Sequence, residues 1–509
     1  MRSKKAFLNV LTNLILQIFI FVYGFVLPKI IMSKYGSNVN GLISSVTQFL
    51  AYISLLESGV GPVVKSILYE PISKKDNKKI IDILYATEKF FRTIAIIFII
   101  YIVILTFAYP SIIKTSKSTL YVSSLIIIIS ISIFSEYFFG MIYRIFLQAN
   151  QETYVISIIQ IGTYIIAIIA AVIMARMNVS VHILKLSISL IFVLRPIAQS
   201  IYVKRKFNLN FKKADKNYVI KNKRDGLAQH IAYVVHTNTD ITVLSIFSSL
   251  SEVSVYSVYL LIVKGVKALI SAFSSGLDAS FGDMLSKKEM ENLRNKFELY
   301  EIIYFMICTI LFACSVVLIL PFVKIYTSNI HDAEYSRPLF GVLLVISECL
   351  WAIRLPYLTL VYAAGHFKET RIGAWVECLT NIIISVILVK KYGIVGVAIG
   401  TIIAMIIRTS EFIYHTNKRI LKVSIFKSAK KIIELAVIIF LTAIFAKKIF
   451  IFPNTSYFYW FINALVVFIF ASLLTLIFNM IFYREKLNEV FRISKSILKK
   501  KSMWELIYF

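Results

Sequence analysis

Long apolar runs separated by short charged breaks organise this chain of 509 residues. "TIAIIFIIYIVILTFAYP" (93–110) and "LIIIISISIFSEYFFGMIY" (125–143) are typical. A hydrocarbon core about 30 Å thick is crossed by about 20 apolar residues of helix. These runs do not alternate as the strands of a membrane barrel must, so they predict helices. Fourteen spans are expected, near 7–32, 41–64, 92–110, 119–143, 154–175, 180–203, 227–248, 253–276, 300–326, 338–362, 371–389, 394–416, 430–448 and 456–483. The first run continues to about Ile31 with no small-residue cleavage site, so it reads as a span rather than a signal peptide.

Composition agrees: 58% of residues are hydrophobic and the mean hydropathy is +0.78. The net charge of +29 would suggest nucleic acid in a soluble protein. Here the cations crowd into short breaks, which points to membrane topology instead. Of 56 Lys and Arg, 39 fall on the side of the termini, ten on the opposite side and seven within spans. Both termini are therefore expected in the cytoplasm. The four cysteines lie inside apolar segments at no metal-ligand spacing, and the six histidines are scattered, so neither zinc nor a disulfide is expected.

The longest break, "KRKFNLNFKKADKNYVIKNKR" (204–224), divides the chain near its middle. Across it, "SE" at 135–136 meets "SE" at 347–348, Arg195 meets Arg408, "SKK" at 73–75 meets 286–288, and "ET" at 152–153 meets 369–370. The offsets all lie near 213 residues and pair spans 1–6 with spans 7–12. Six is even, so the halves form a parallel repeat, the plan of many transporters that work by alternating access. The expected organisation is an all-α polytopic membrane protein: an N-lobe (1–206), a cytoplasmic linker (207–226), a C-lobe (227–419), two extra helices (428–484) and a basic tail (485–509). The tail places Leu487, Val490, Phe491, Ile497 and Leu498 on one helix face, which suits an amphipathic helix on anionic lipid.

"LPKIIMSKYGSNVNGLISSVTQFLAYISLLESGVG" (27–61) resembles the opening of the polysaccharide-repeat (Wzx-type) flippases of the multidrug/oligosaccharidyl-lipid/polysaccharide (MOP) exporter superfamily. Pro28, Gly36, Asn40-Gly41 and the Glu57-Ser58-Gly59 turn carry the likeness. Residues 237–285 resemble the opening of the second half through Asp240, Tyr256 and Phe281-Gly282. The resemblance implies a flippase that moves undecaprenyl-diphosphate-linked oligosaccharide units to the outer leaflet of a bacterial cytoplasmic membrane. The units would feed O-antigen, capsule or a similar polymer, with a polymerase and glycosyltransferases as pathway partners. No cofactor is implied beyond a possible coupling Na+ or H+.

A diphosphate crossing hydrocarbon calls for cations inside the membrane. A lysine at mid-membrane costs roughly 2.5–3.5 kcal/mol, and span 8 carries two, Lys264 and Lys267. Lys264 is expected about 16 Å from the outer face at 1.5 Å per residue. Tyr256, Lys267 and Asp278 share one stripe of that helix. Asp240 on span 7 lies at the depth of Lys264, so a salt bridge there is an even expectation, which leaves Lys267 the better candidate for a free ammonium. Arg195, Arg354 and Arg408 complete the candidate diphosphate site. For Arg195 and Arg408, snorkelling or pairing with an acid such as Glu411 is the more expected role. Arg354 precedes Pro356, where a broken helix would free carbonyls. Glu136 and Glu348 are expected to partner buried arginines. Glu57 and Asp240 are the candidates for ion coupling.

Three rivals share parts of this pattern. A drug antiporter on the same fold usually has twelve spans and an acid-rich cavity. A peptidoglycan-precursor flippase would carry more arginine in spans 1 and 2. A polysaccharide polymerase, the enzymatic alternative, needs a large outer loop, and the outer breaks here are short.

Overall fold

The computed structural model describes residues 2–57, 59–207, 209, 214–215, 218, 227–274, 277–450, 453, 456–489 and 492. Helices in order are α1 (Arg2–Tyr35), α2 (Ser37–Ala51), a 3-10 turn (Tyr52–Glu57), α3 (Val60–Lys74), α4 (Asn77–Ile112), α5 (Thr119–Ser135), a π segment (Glu136–Gly140), α6 (Met141–Ala149), α7 (Thr153–Arg176), α8 (Val181–Phe207) and α9 (Leu227–Phe247). There follow α10 (Leu250–Ser274), α11 (Leu277–Ser286), α12 (Met290–Tyr326), α13 (Pro338–Ala363), α14 (Arg371–Tyr392), α15 (Ile394–Tyr414), a second π segment (His415–Leu421), α16 (Ile425–Ile449) and α17 (Tyr457–Phe482).

The helices follow from solvent. In hydrocarbon each backbone N–H and C=O must be satisfied within its own segment. Where the chain leaves the apolar stretch, side chains take over: Asp76, Ser118 and Ser456 accept from the backbone N–H of Lys79, Tyr121 and Tyr459. Twelve helices among the described residues are long and apolar enough to cross a membrane. The remaining two of the fourteen expected spans correspond to α9 and α16. Both form continuous helices, and in α9 the apolar sequence is interrupted by His230, Asn238 and Asp240.

The outward faces carry Val10, Leu14 and Ile18 of α1, Ile100 and Ile104 of α4, and Phe461, Phe468 and Leu473 of α17, all exposed. A soluble protein does not present such continuous apolar stripes. The chain is a multi-pass membrane protein.

Span 2 differs from its expected course of 41–64. The apolar helix ends at Glu57 and a separate helix starts at Val60. Gly59 has φ +72°, a left-handed conformation that other residues rarely adopt, and an α-helix cannot run through it.

The described residues form two compact units, one running to Ser254 and the other from Val255. In the first, α1 packs on α7, α7 and α5 pack on α8, and α2 packs on α9. Gly41 of α2 also lies against the first residue of α10. A Cβ there would lie 1.7 Å from the backbone oxygen of Leu250. Beside it, the Asn40 amide donates to Ser254 Oγ at 2.8 Å. In the second unit, α13, α14 and α15 pack together, while α16 and α17 flank α12. The linker 207–226 and the tail 485–509 fall largely outside the described residues.

Candidate functional site

Both lysines of α10 lie in the second unit. Glu348 and Trp351 stand three residues apart on α13 and therefore share a face. Lys267 meets both: its Nζ is 3.0 Å from Glu348 Oε2 and 3.9 Å from the centre of the Trp351 ring. Lys264 is exposed and makes no ion pair with a described carboxylate of its own unit. Lys267 was expected to be the free ammonium, and it is paired instead. Lys267 is the neutralised member, because the repeat mate of Glu136 that was expected to hold an arginine holds this lysine instead. Tyr256 is also corrected. It is 3% exposed, with its ring against Phe340 at 5.4 Å, so it belongs to the core. The side chain of Asp278 lies outside the described residues.

Arg354 and Arg408 are brought together, but not as open phosphate clamps. Arg354 Nη1 donates to Glu377 Oε1 at 2.7 Å, and Arg408 Nε lies 3.4 Å from Glu377 Oε2. Arg408 also pairs with Glu411, donates to the Thr370 carbonyl at 2.7 Å, and lies over the Phe412 ring. Two cations and two carboxylates on α13, α14 and α15 form one buried network. The Glu411 pair is the expected one. The Arg354 site differs because Glu377 lies opposite, and α13 runs unbroken through Pro356. A membrane helix tolerates such a proline when neighbours satisfy the freed backbone.

In the first unit, Glu57 and Arg195 line one cavity of about 290 Å³ with Glu136, Tyr137, Arg144 and Gln160. Tyr137 donates its phenolic O–H to Glu57. Glu136 lies 3.4 Å from Arg144 Nη1, a half-exposed arginine rather than a buried one. Arg195 Nε donates to Thr163 Oγ1 at 2.7 Å, and its guanidinium covers Phe192 at 3.8 Å and Tyr164 at 4.4 Å. The π segment places the consecutive residues Glu136 and Tyr137 on the same cavity. Gly140 permits the approach of α8, since a Cβ there would lie 2.8 Å from Pro196 Cβ. Asp240 is buried in α9 and is not among the residues lining this cavity.

Sequence reasoning missed a second buried charge cluster. Glu301 of α12, 3% exposed, accepts from Lys431 Nζ, from the Tyr357 hydroxyl and from Ser428 Oγ. It fixes α16 to α12, so the added helices are tied into the second unit by charge as well as by apolar contact. The signal was present: Glu301 is a carboxylate at the edge of an apolar run, and Lys431 opens another.

No family model matches the chain, and no curated protein matches it in sequence. Solved structures do match in fold. "Lipid II flippase MurJ, inward closed conformation" is 17% identical, with a TM-score of 0.68, over 94% of this chain and 99% of that one. An inward-facing multidrug resistance MATE family transporter of the MOP superfamily is 12% identical, with a TM-score of 0.62, over 79% and 97%. The eukaryotic MATE transporter AtDTX14 is 14% identical, with a TM-score of 0.55, over 84% and 98%. All three are transporters rather than enzymes. The chain has the fold of the MOP-superfamily transporters.

Proposed function

We propose that the chain is a flippase for undecaprenyl-diphosphate-linked oligosaccharide units, working by alternating access with both termini in the cytoplasm. The translocated units supply a surface-polysaccharide polymerase. One observation carries the reading: Lys264 is an exposed intramembrane cation with no carboxylate partner in its unit, one turn from a lysine that Glu348 neutralises. A cation at that depth is expensive and marks a polar pathway. A diphosphate supplies the missing counter-charge in a medium of reduced dielectric.

Proteoliposomes loaded with a fluorescent undecaprenyl-diphosphate-linked oligosaccharide test it. Translocation is read as the fraction of probe accessible to an external reagent. Wild type is expected to equilibrate the probe. Lys264→Ala is expected to slow it at least tenfold, and Lys264→Arg to retain it. No translocation by wild type, or an unchanged rate in Lys264→Ala, defeats the reading.

A second reading is favoured by the likeness to the lipid II flippase over 94% of the chain. A peptidoglycan lipid precursor carries the same diphosphate, so the lysine argument does not separate the two. Competition between a lipid-linked muropeptide and the oligosaccharide probe does. Asp240, buried in α9, is the candidate for Na+ or H+ coupling under either reading.

A further inference from the structure

The cavity of the first unit is lined by groups of both signs. Glu57 and Glu136 are carboxylates, Arg144 and Arg195 are guanidiniums, and Gln160 is an amide with both donors and an acceptor. Two acids against two bases give no net preference for a lone cation or a lone anion. The matching ligand is neutral and offers many donors and acceptors on a small frame. Aromatic carbon is also present, in Phe192 and Tyr137. At about 290 Å³ the space lies at the bottom of the range of ligand pockets, about 300–1,000 Å³. It takes one ring-sized group, not a chain of them.

The walls are held before any ligand arrives. The Tyr137 hydrogen bond fixes Glu57, Thr163 fixes Arg195, and Gly140 fixes how closely α8 approaches. Gln160 makes no side-chain hydrogen bond to a described residue, so its amide is unspent. Depth is consistent with loading from the cytoplasm. Arg195 stands fourteen residues from the start of α8, about 21 Å below the outer face for the orientation given above.

We propose that this cavity is a glycan subsite that holds one pyranose ring of the translocated unit. Hydroxyls meet Glu57, Glu136 and Gln160, and Arg195, held over Phe192, donates to an oxygen substituent. This deepens the flippase reading and rests on it for the source of the sugar. It also moves Glu57 from ion coupling to substrate recognition.

Saturation-transfer NMR on the full chain in lipid nanodiscs tests it, with methyl glucoside, methyl N-acetylglucosaminide and methyl galactoside as probes. At least one pyranoside is expected to receive saturation from wild type. Gln160→Ala and Glu57→Gln are expected to cut the signal at least fivefold, while Lys264→Ala keeps it. Gln160→Ala breaks no side-chain bond to a described residue, so it keeps the test valid should Glu57→Gln unfold. The proposal is overturned if no pyranoside is saturated, if Gln160→Ala binds as wild type does, or if only Na+ or a proton titrates the site. A wild type that binds a pyranoside but moves no lipid-linked probe defeats the flippase reading and leaves the sugar site standing.

Discussion

Lys267 of α10 and Glu348 of α13 form an ion pair with Nζ 3.0 Å from Oε2, beneath the face of Trp351. The pair separates two neighbouring lysines: Lys267 is fixed by protein charge, and Lys264 forms no ion pair with a described carboxylate of its unit.

Glu348→Gln is expected to leave both lysines without a carboxylate in the second unit. Repulsion between them then rises. The variant is expected to melt lower and, in the proteoliposome assay, to retain more activity than Lys264→Ala. Equal loss in the two variants would show that Lys267 also serves the substrate.

Glu377 bridges Arg354 and Arg408, which are 7% and 2% exposed. Glu377→Gln leaves two buried guanidiniums with one carboxylate. Removing one partner of a buried ionic group costs about 3–5 kcal/mol. The measurement is the thermal unfolding of the purified protein in detergent. An unchanged midpoint would show that water or Glu411 replaces the lost charge.

Gly41 approaches the start of α10 so closely that no side chain fits, and its neighbour Asn40 bonds Ser254. The obstacle is backbone, which cannot rotate away. Gly41→Ala is expected to destabilise by about 1–3 kcal/mol, the range for overpacking. Gly162→Ala, with nothing within 4 Å of its added Cβ, is the control and is expected to be neutral or slightly stabilising.

Glu152, just ahead of α7, accepts from Lys206 and pairs with Lys5, both at 2.8–2.9 Å. Burial pulls its carboxyl upward, and hydrogen bonds from Lys206 and Lys5 outweigh that and hold it below the usual value. A depressed folded-state pKa contributes stability that is present above the unfolded value, near pH 4, and lost as pH falls through the folded one. Glu152→Gln is expected to cost about 1–2 kcal/mol at pH 7, less than a buried pair because both lysines are part-exposed. Its penalty relative to wild type should begin to shrink as pH falls past about 4, the unfolded value, and vanish below the depressed folded value. A penalty that persists there would show a purely steric role.

The sequence by itself determined the class of fold. Apolar length and the lack of alternation make helices compulsory in hydrocarbon, wherever those helices later pack. Twelve of the fourteen expected spans reappear as apolar helices, although α4 and α12 start ten or more residues earlier than expected and span 2 ends at Glu57. The cations that matter were visible too, because a charge inside an apolar run is costly whatever surrounds it. What each cation does was decided only by tertiary structure. Arg195 and Arg408 stand 213 residues apart and were expected to be equivalent, yet one lies over aromatic rings beside a cavity and the other is buried beside carboxylates. Lys267 rather than Lys264 is paired because Glu348 faces it from another helix. Helix periodicity fixes which residues share a face of one helix, but not which face of another helix lies opposite. Partners more than twenty residues apart, such as Arg354 with Glu377 and Glu301 with Lys431, are set by how helices pack. That packing depends on small residues such as Gly41, where the missing Cβ lets a backbone carbonyl approach, and Gly140, where it makes room for Pro196.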